Sequence, residues 1–401
     1  SGVYVTSIQR YSLEFSNKRY RAENEEARKW SPEAEIVSQL ESSLLETTSD
    51  GLLTKLDSFF ENWQSLSNDP TDTSVRRELL DSAKELASAI NTRYTQIEEI
   101  RAEQDLSIDA RVQEINALAT SIAQLNEQIS RIKSIGDSPS DLLDARDLAL
   151  DRLSELAGAT SFEQSNGEVT VSIEGHILVG GHEAYGLHTE MDFSNENLKK
   201  LVWDDNKDLI PSSGELAGII EARDSVFTEQ RTGLNELSMA LKDAVNAIHQ
   251  TGYGLDSSTS LDFFVGDDAG SFAVNSALDD VEKIATASID GEVGDSEIAR
   301  AIFALRTTAT MNSGTATFNQ YYNDQISKLG LAVQRAETNA YDRGLVADAL
   351  QTQRESVSGV DLNEEAANMV KSQKAYEAAA RIISTIDEML DTIINRMGAG
   401  R

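Results

Sequence analysis

Residues 108–132 read IDARVQEINALATSIAQLNEQISRI. Ile108, Ile115, Ile122 and Ile129 recur every seven residues, and Leu118, Leu125 and Ile132 stand three residues after the last three of them. Isoleucine at one seam position and mostly leucine at the other is the pattern of helices packed side by side. The surrounding run from Ser74 to Ile135 contains no glycine or proline, the strongest helix breakers, and Gly136-Asp137-Ser138-Pro139 ends it. The stretch predicts one long helix that needs partners, and the rest of the chain must supply them.

Upstream, Ile36, Val37, Leu40, Leu44 and Leu45 give one apolar face, and Leu52, Leu56, Phe59, Phe60, Trp63 and Leu66 give a bulkier one. Ser31-Pro32-Glu33 reads as an N-cap followed by a first-turn proline, which predicts a helix restart or kink there. Asn68-Asp69-Pro70 is a turn, and Thr71 or Asp72 caps the next helix. The opening run Val3-Tyr4-Val5 alternates as a short strand does.

Downstream, Leu142 to Leu156 is a shorter amphipathic helix, and at Gly158 the apolar period changes to two. Val169, Val171 and Ile173 alternate with polar residues, Asn166-Gly167, Glu174-Gly175 and Gly180-Gly181 mark turns, and Leu201–Trp203 and Leu209-Ile210 flank a hairpin. Helix returns near Leu216, with Ile220, Phe227, Leu234, Leu241 and Ile248 seven apart. Residues 255–295 are rich in Gly, Asp and Ser with a strand at Phe272–Val274, and helices follow at Ser296–Thr307 and from Phe318 to about Ser356.

The last stretch, 361–397, has no proline or glycine. Asp361 and Glu364 read as a capping box, Gly398 as the stop, and the helix between them would be about 55 Å long. Leu362, Ala366, Met369, Tyr376, Ala379, Ile382, Ile386, Met389, Ile393 and Met397 form a seam with one slip near Tyr376, and Ile383, Leu390 and Ile394 add a second row. The fold class read from these patterns is mainly α with a small β insertion: a long antiparallel helical bundle, with a β-rich domain inserted between its two halves. The domain boundaries expected are 1–158 and 216–357 for the two halves of the bundle, the second including the mixed 255–295 segment. The β insertion takes 159–215 and a C-terminal assembly helix takes 358–401.

The 401 residues carry a formal net charge of -33 and no cysteine. So acidic a chain lacks the basic footprint that nucleic acid or an anionic membrane requires. Disulfides and Cys-ligated zinc are excluded, and no apolar run approaches a membrane span of about 20 residues. The start, SGVYVTSIQR, gives no expectation of a signal peptide. No GxxxxGK[ST], GxSxG or HExxH occurs, and the many carboxylates carry no motif for acid–base geometry. Asp204, Asn206, Asp208, Ser212 and Glu215 fall at positions 1, 3, 5, 9 and 12 of a calcium loop, yet Leu209 stands where that loop needs glycine and the flanks read as strands. His176, His182 and His188 are six apart, but Gly180-Gly181 breaks the strand between them. The expectation is no enzyme, no cofactor and no metal.

Residues 358–397, SGVDLNEEAANMVKSQKAYEAAARIISTIDEMLDTIINRM, resemble the C-terminal signature of bacterial flagellar axial proteins. The opening and the KAYEAAA centre resemble the hook-associated proteins of the hook–filament junction, the FlgK family. GVYVTSIQR (2–10), SNDPTDTSVRRELLDSA (67–83), INALATSIAQLNEQISRI (115–132), DLLDARDLALDRLSELAG (141–158), GELAGIIEARD (214–224) and Gly252–Phe264 resemble other segments of that family in its order. The resemblance implies a flagellin-like bundle and a structural role in the extracellular flagellum, reached by export through the flagellar type III apparatus.

It implies as partners neighbouring copies of the chain, hook protein, a second junction protein or filament subunits, and an export chaperone; nucleic acid and membrane are not expected. It also sets the expectation that the family's leading helical segment is absent from this chain, as is a further outer domain. The seam residues Leu362, Met369, Tyr376, Ile382, Ile386, Met389 and Ile393 are then the candidate partner-binding residues, in a helix weakly ordered until assembly. Flagellin or hook protein is the nearest alternative, and a secreted coiled-coil adhesin a more distant one.

Overall fold

The structure, a computed structural model, describes residues 14–44, 51–136, 138–358 and 362–391. It has two compact units, residues 21–347 and a second built from 1–20 with 348–401. The strand-like Val3–Val5, the capping residue Asp361, the seam residues Ile393 and Met397 and the stop at Gly398 lie outside the described residues.

The spine of the larger unit is α3 (Thr73–Ser134), started by Asp72, whose carboxylate accepts the amide of Ser74 at 2.7 Å. Ile108, Ile115, Ile122 and Ile129 are all buried, as their spacing predicts. The companion row is not the expected one. Leu118, Leu125 and Ile132 are half-buried, while Val112, Ala119 and Asn126, four residues after successive isoleucines, are buried. Positions three and four along lie on either side of each isoleucine. Which side closes depends on what covers it. Here α2 (Leu52–Asn68), α4 (Ser140–Ala157), α6 (Phe227–His249) and the β strands pack on α3.

α1 (Glu14–Leu44) runs unbroken through Pro32, so the predicted restart or kink at Ser31-Pro32 does not form as a break. Proline removes one amide donor from the ladder, a cost that burial of Ala34, Ile36, Val37 and Leu40 on the following turns offsets. Against α1 lies α5 (Gly214–Glu221). A Cβ at Gly218 would sit 2.0 Å from the carbonyl oxygen of Lys29, so only glycine permits this approach.

A π-helical turn, Ala222–Val226, joins α5 to α6. It explains a shift in the seven-residue row. Phe227, Leu234 and Leu241 are buried, but the buried residue ahead of the turn is Ile219, and Ile220 is half-buried. A π turn inserts one extra residue, so the position two turns before Phe227 moves back by one.

Gly158 ends α4 in the left-handed conformation, with φ 63° and ψ 37°. Beyond it β1 (Thr160–Glu163), β2 (Val169–Ile173), β3 (His176–Gly180) and β4 (Glu183–Ala184) form one antiparallel sheet. β5 (Leu187–Asp192), β6 (Leu198–Trp203) and β7 (Asp208–Leu209) form a second, with Leu201 opposite Leu209 in the predicted hairpin. Past α6 the mixed segment holds the pair β8 (Phe264–Val265) and β9 (Ala273–Val274), then α7 (Glu297–Ala304). Phe59 and Trp63 of α2 close on Phe263 and Phe264 at ring distances of 5.3 to 5.8 Å. α8 (Phe318–Ser358) and α9 (Leu362–Asp391) complete the chain.

Candidate assembly surface

α9 has the composition of a core helix and the exposure of a surface one. Every side chain described on it, from Ala366 to Leu390, is exposed. Met369 is 58% exposed, Tyr376 62%, Ile382 61%, Ile386 49% and Met389 60%. Ile382, Ile386 and Met389 lie four and three apart, one above another on the helix, with Ile383 and Leu390 beside them. Leu362 falls on the helix, in a part whose side chains are not described, and Ile393 lies outside the described residues. Each apolar side chain buried from water contributes about 1.5–3 kcal/mol, so such a stripe is a strong adhesive for a matching face.

In contrast, the larger unit ties even its irregular parts down with polar side chains that the sequence reading passed over. Asn126 is fully buried on α3. It donates to the carbonyls of Val169 (2.8 Å) and Gly181 (2.6 Å) and accepts from the amide of Val169 (3.0 Å) and from Arg146 (3.1 Å). Asn116, ten residues earlier, makes the same two-way bond to the backbone of Leu187. Two asparagines on one helix thus each hold one of the two sheets. The available signal was that Asn126 continues the buried Val112 and Ala119 row, where a lone polar residue fixes register. Asn126→Ala is expected to lower stability by about 2–4 kcal/mol, because it strands buried backbone groups of Val169 and Gly181. Urea unfolding, with hydrogen exchange of the Val169 amide, checks this; unchanged exchange there would remove the anchor role.

Arg76 plays the same part for the mixed segment. Fully buried, it donates to the carbonyls of Pro70, Val281 and Ile284 and to the hydroxyl of Thr286, at 2.7 to 3.1 Å. Burial brings its guanidinium down to about 10. His249, also buried, donates from Nδ1 to the carbonyl of Leu261 (2.7 Å) and accepts the amide of Ala285 at Nε2 (3.0 Å). Desolvation lowers its pKa to about 4, so it stays neutral. Glu196 takes hydrogen bonds from Arg231 and Arg101, and these hold its carboxyl at about 2.

The residues with calcium-loop spacing are not brought together as one ligand set. Asp204 accepts the amide of Gly186, Asp208 pairs with Lys200, Ser212 bonds Glu174, and Glu215 pairs with Arg111 and Arg152. Of the three spaced histidines, His176 lies tilted at 34° against Trp203 with ring centroids 4.5 Å apart, and His188 lies 3.3 Å from Glu190.

A family profile described as the flagellar hook-associated protein FlgK helical domain matches residues 37–264, more than half of the chain. The chain belongs to the FlgK family. Its residues 351–397 also match the profile of the flagellar basal body rod FlgEFG protein C-terminal region. Flagellar hook-associated protein 1 of Bacillus subtilis is 27% identical over 100% of this chain and 87% of its own. The Escherichia coli protein of that name is 24% identical over 98% and 90%. The solved structure of the flagellar hook junction protein FlgK from Burkholderia pseudomallei has the same fold, with a TM-score of 0.76, 16% identity, and coverage of 85% of this chain and 100% of that one. The FlgK helical domain thus takes in α2, α3, α4, both small sheets, α5 and α6. It includes the asparagine anchors and stops ahead of α9.

Proposed function

We propose that this chain is a structural component of the bacterial flagellum, positioned between hook and filament, and that it works by assembling rather than by catalysis. The observation that carries the mechanism is the contrast between a bundle whose apolar rows are buried and a terminal helix whose apolar stripe is exposed. Subunits that bind head to tail through unlike surfaces build an open helical array. The bundle, about 31–158 and 216–357, supplies the rigid block, with 159–215 as its inserted β domain. The assembly helix, 358–401, buries Leu362, Met369, Tyr376, Ile382, Ile386, Met389 and Ile393 against neighbouring axial subunits.

Those neighbours are further copies of the chain, hook protein below, and a second junction protein or filament subunits above. The chain reaches them outside the cell through the flagellar export apparatus, with a chaperone masking the terminal helix beforehand. Among the described residues no helix is long and apolar enough to cross a membrane.

Deleting the gene tests the reading. Cells are expected to make hooks without filaments and to lose flagellin to the medium. Loss of the hook itself would instead support a hook or rod role, the reading favoured by the match of 351–397 to rod proteins. A second test concerns α9 alone. In dilute monomer its amides are expected to exchange at least about a hundredfold faster than those of α3, because a helix without tertiary partners is marginal in water. Equal protection of the two helices would sink the proposal that α9 gains its partners on assembly.

A further inference from the structure

One cleft in the β domain has no part in the assembly stripe. It lies where the β2–β3 turn meets the β6–β7 turn and has a volume of about 540 Å³. His176 and Trp203 line it, their rings tilted at 34° with centroids 4.5 Å apart and the indole almost completely buried. Ile177 and Tyr185 form its open walls and remain nearly half exposed, although each is a large apolar side chain. Asp204 and Asp205 stand at the rim with most of one and nearly half of the other open to water. Asp204 is oriented by the amide of Gly186 at 2.9 Å. Asp205 holds Lys207 at 2.7 Å, and this bond keeps its carboxyl below the usual range. His188 Nδ1 lies 3.6 Å from Asp204 and His176 Nε2 3.6 Å from Asp205, so with both imidazoles neutral one lysine stands against two carboxylates and the rim is negative.

We propose that this cleft receives a lysine or arginine side chain presented by a protein partner. The lining selects that chemistry. A long basic side chain has an apolar stem and a cationic head, so the stem lies along Ile177 and Tyr185 while the head reaches Asp204 and Asp205. The electron-rich face of Tyr185 adds attraction for the same cation. An anion is repelled by the rim, and a small hydrated metal ion gains nothing from the apolar walls. A neutral sugar can use the tyrosine face and the carboxylates but leaves the excess negative charge uncompensated, so the basic side chain is the better fit. The assignment is independent of α9: it can fail while the junction reading stands, and the reverse.

The test is a titration of the ¹⁵N-labelled full chain with acetyl-arginine methylamide, acetyl-lysine methylamide and the neutral isostere acetyl-citrulline methylamide. Maltose serves as the saccharide probe. The Gly186 amide and the Trp203 indole N–H are expected to shift with the two basic probes, with citrulline about tenfold weaker or worse. Asp204→Asn with Asp205→Asn should weaken the basic probes at least about tenfold and leave the remaining spectrum in place. Tyr185→Leu, an exposed position that keeps the wall apolar, should weaken them by about threefold to tenfold. Citrulline binding as well as arginine, maltose binding where arginine does not, or no shift at these two groups with any probe would each overturn the assignment.

Discussion

Ile386→Asp is expected to leave the unfolding of the bundle unchanged, within about 0.5 kcal/mol, while reducing incorporation into flagella by at least about a hundredfold. The first half follows from the monomer, where Ile386 is 49% exposed on a helix whose described side chains are all exposed. Aspartate there gives up little burial, and its helix propensity is close to that of isoleucine. The second half follows from the proposed assembled state. An unpaired carboxylate carried into an apolar seam costs several kcal/mol, and the array repeats that cost at every subunit. Ile386→Met, which keeps the volume and the apolar surface, should assemble normally. Complementation of a deletion strain, scored by filament counts, with thermal melting of purified monomer, supplies both readouts. Normal filaments from the aspartate variant would show that the stripe is not buried on assembly.

His249→Phe is expected to cost about 2–5 kcal/mol at pH 7, and that cost should shrink as pH falls. Phenylalanine keeps a ring among Trp63 and Phe263, which flank His249 at 6.4 and 5.4 Å, but strands the carbonyl of Leu261 and the amide of Ala285. The histidine's folded pKa, about 4, lies below its ordinary value of 6.5, because burial disfavours the charged form. Its contribution is therefore complete above about pH 6.5 and is lost progressively as pH falls toward 4. Over that range the wild type should lose roughly 3 kcal/mol that the variant never had.

Glu25 and Glu33 act in the opposite sense, since desolvation raises both carboxyls to about 7. They destabilise when ionised, so their contribution improves as pH falls from about 7 to 4.5. Wild-type stability alone is thus flattened, and the difference between wild type and variant isolates the histidine. Urea titrations of both proteins at pH 7.0 and 4.5 measure it. A difference that stays constant between the two pH values would rule out neutral His249 as the link between the segments.

The helices and their order were legible because each carries its period in its own residues. Gly136 to Pro139 and Gly158 mark ends that need no tertiary information, and the alternation from Val169 to Ile173 announces a sheet wherever it packs. The candidate assembly residues of α9 were legible for the same reason: a stripe at helical spacing is a property of the helix alone. Three things were not. The buried side of α3 turned on whether positions three or four along from each isoleucine met a neighbour, and those neighbours come from segments up to the end of α6. The inserted residue of the π turn moved burial from Ile220 to Ile219, which a strict seven-residue count cannot anticipate.

The polar anchors were hidden most completely. Arg76 and Thr286, or His249 and Ala285, are distant in sequence, and each is unremarked among residues of its type until the backbone groups it serves are brought to it. By itself, then, the sequence determined a long-helix bundle interrupted by a β insertion and closed by an amphipathic terminal helix, because hydrophobic period and breaker residues are local. Only the tertiary structure decided which face of α3 is the core, which polar side chains hold the irregular segments, and that the stripe on α9 is open, because burial is settled by what packs opposite a residue.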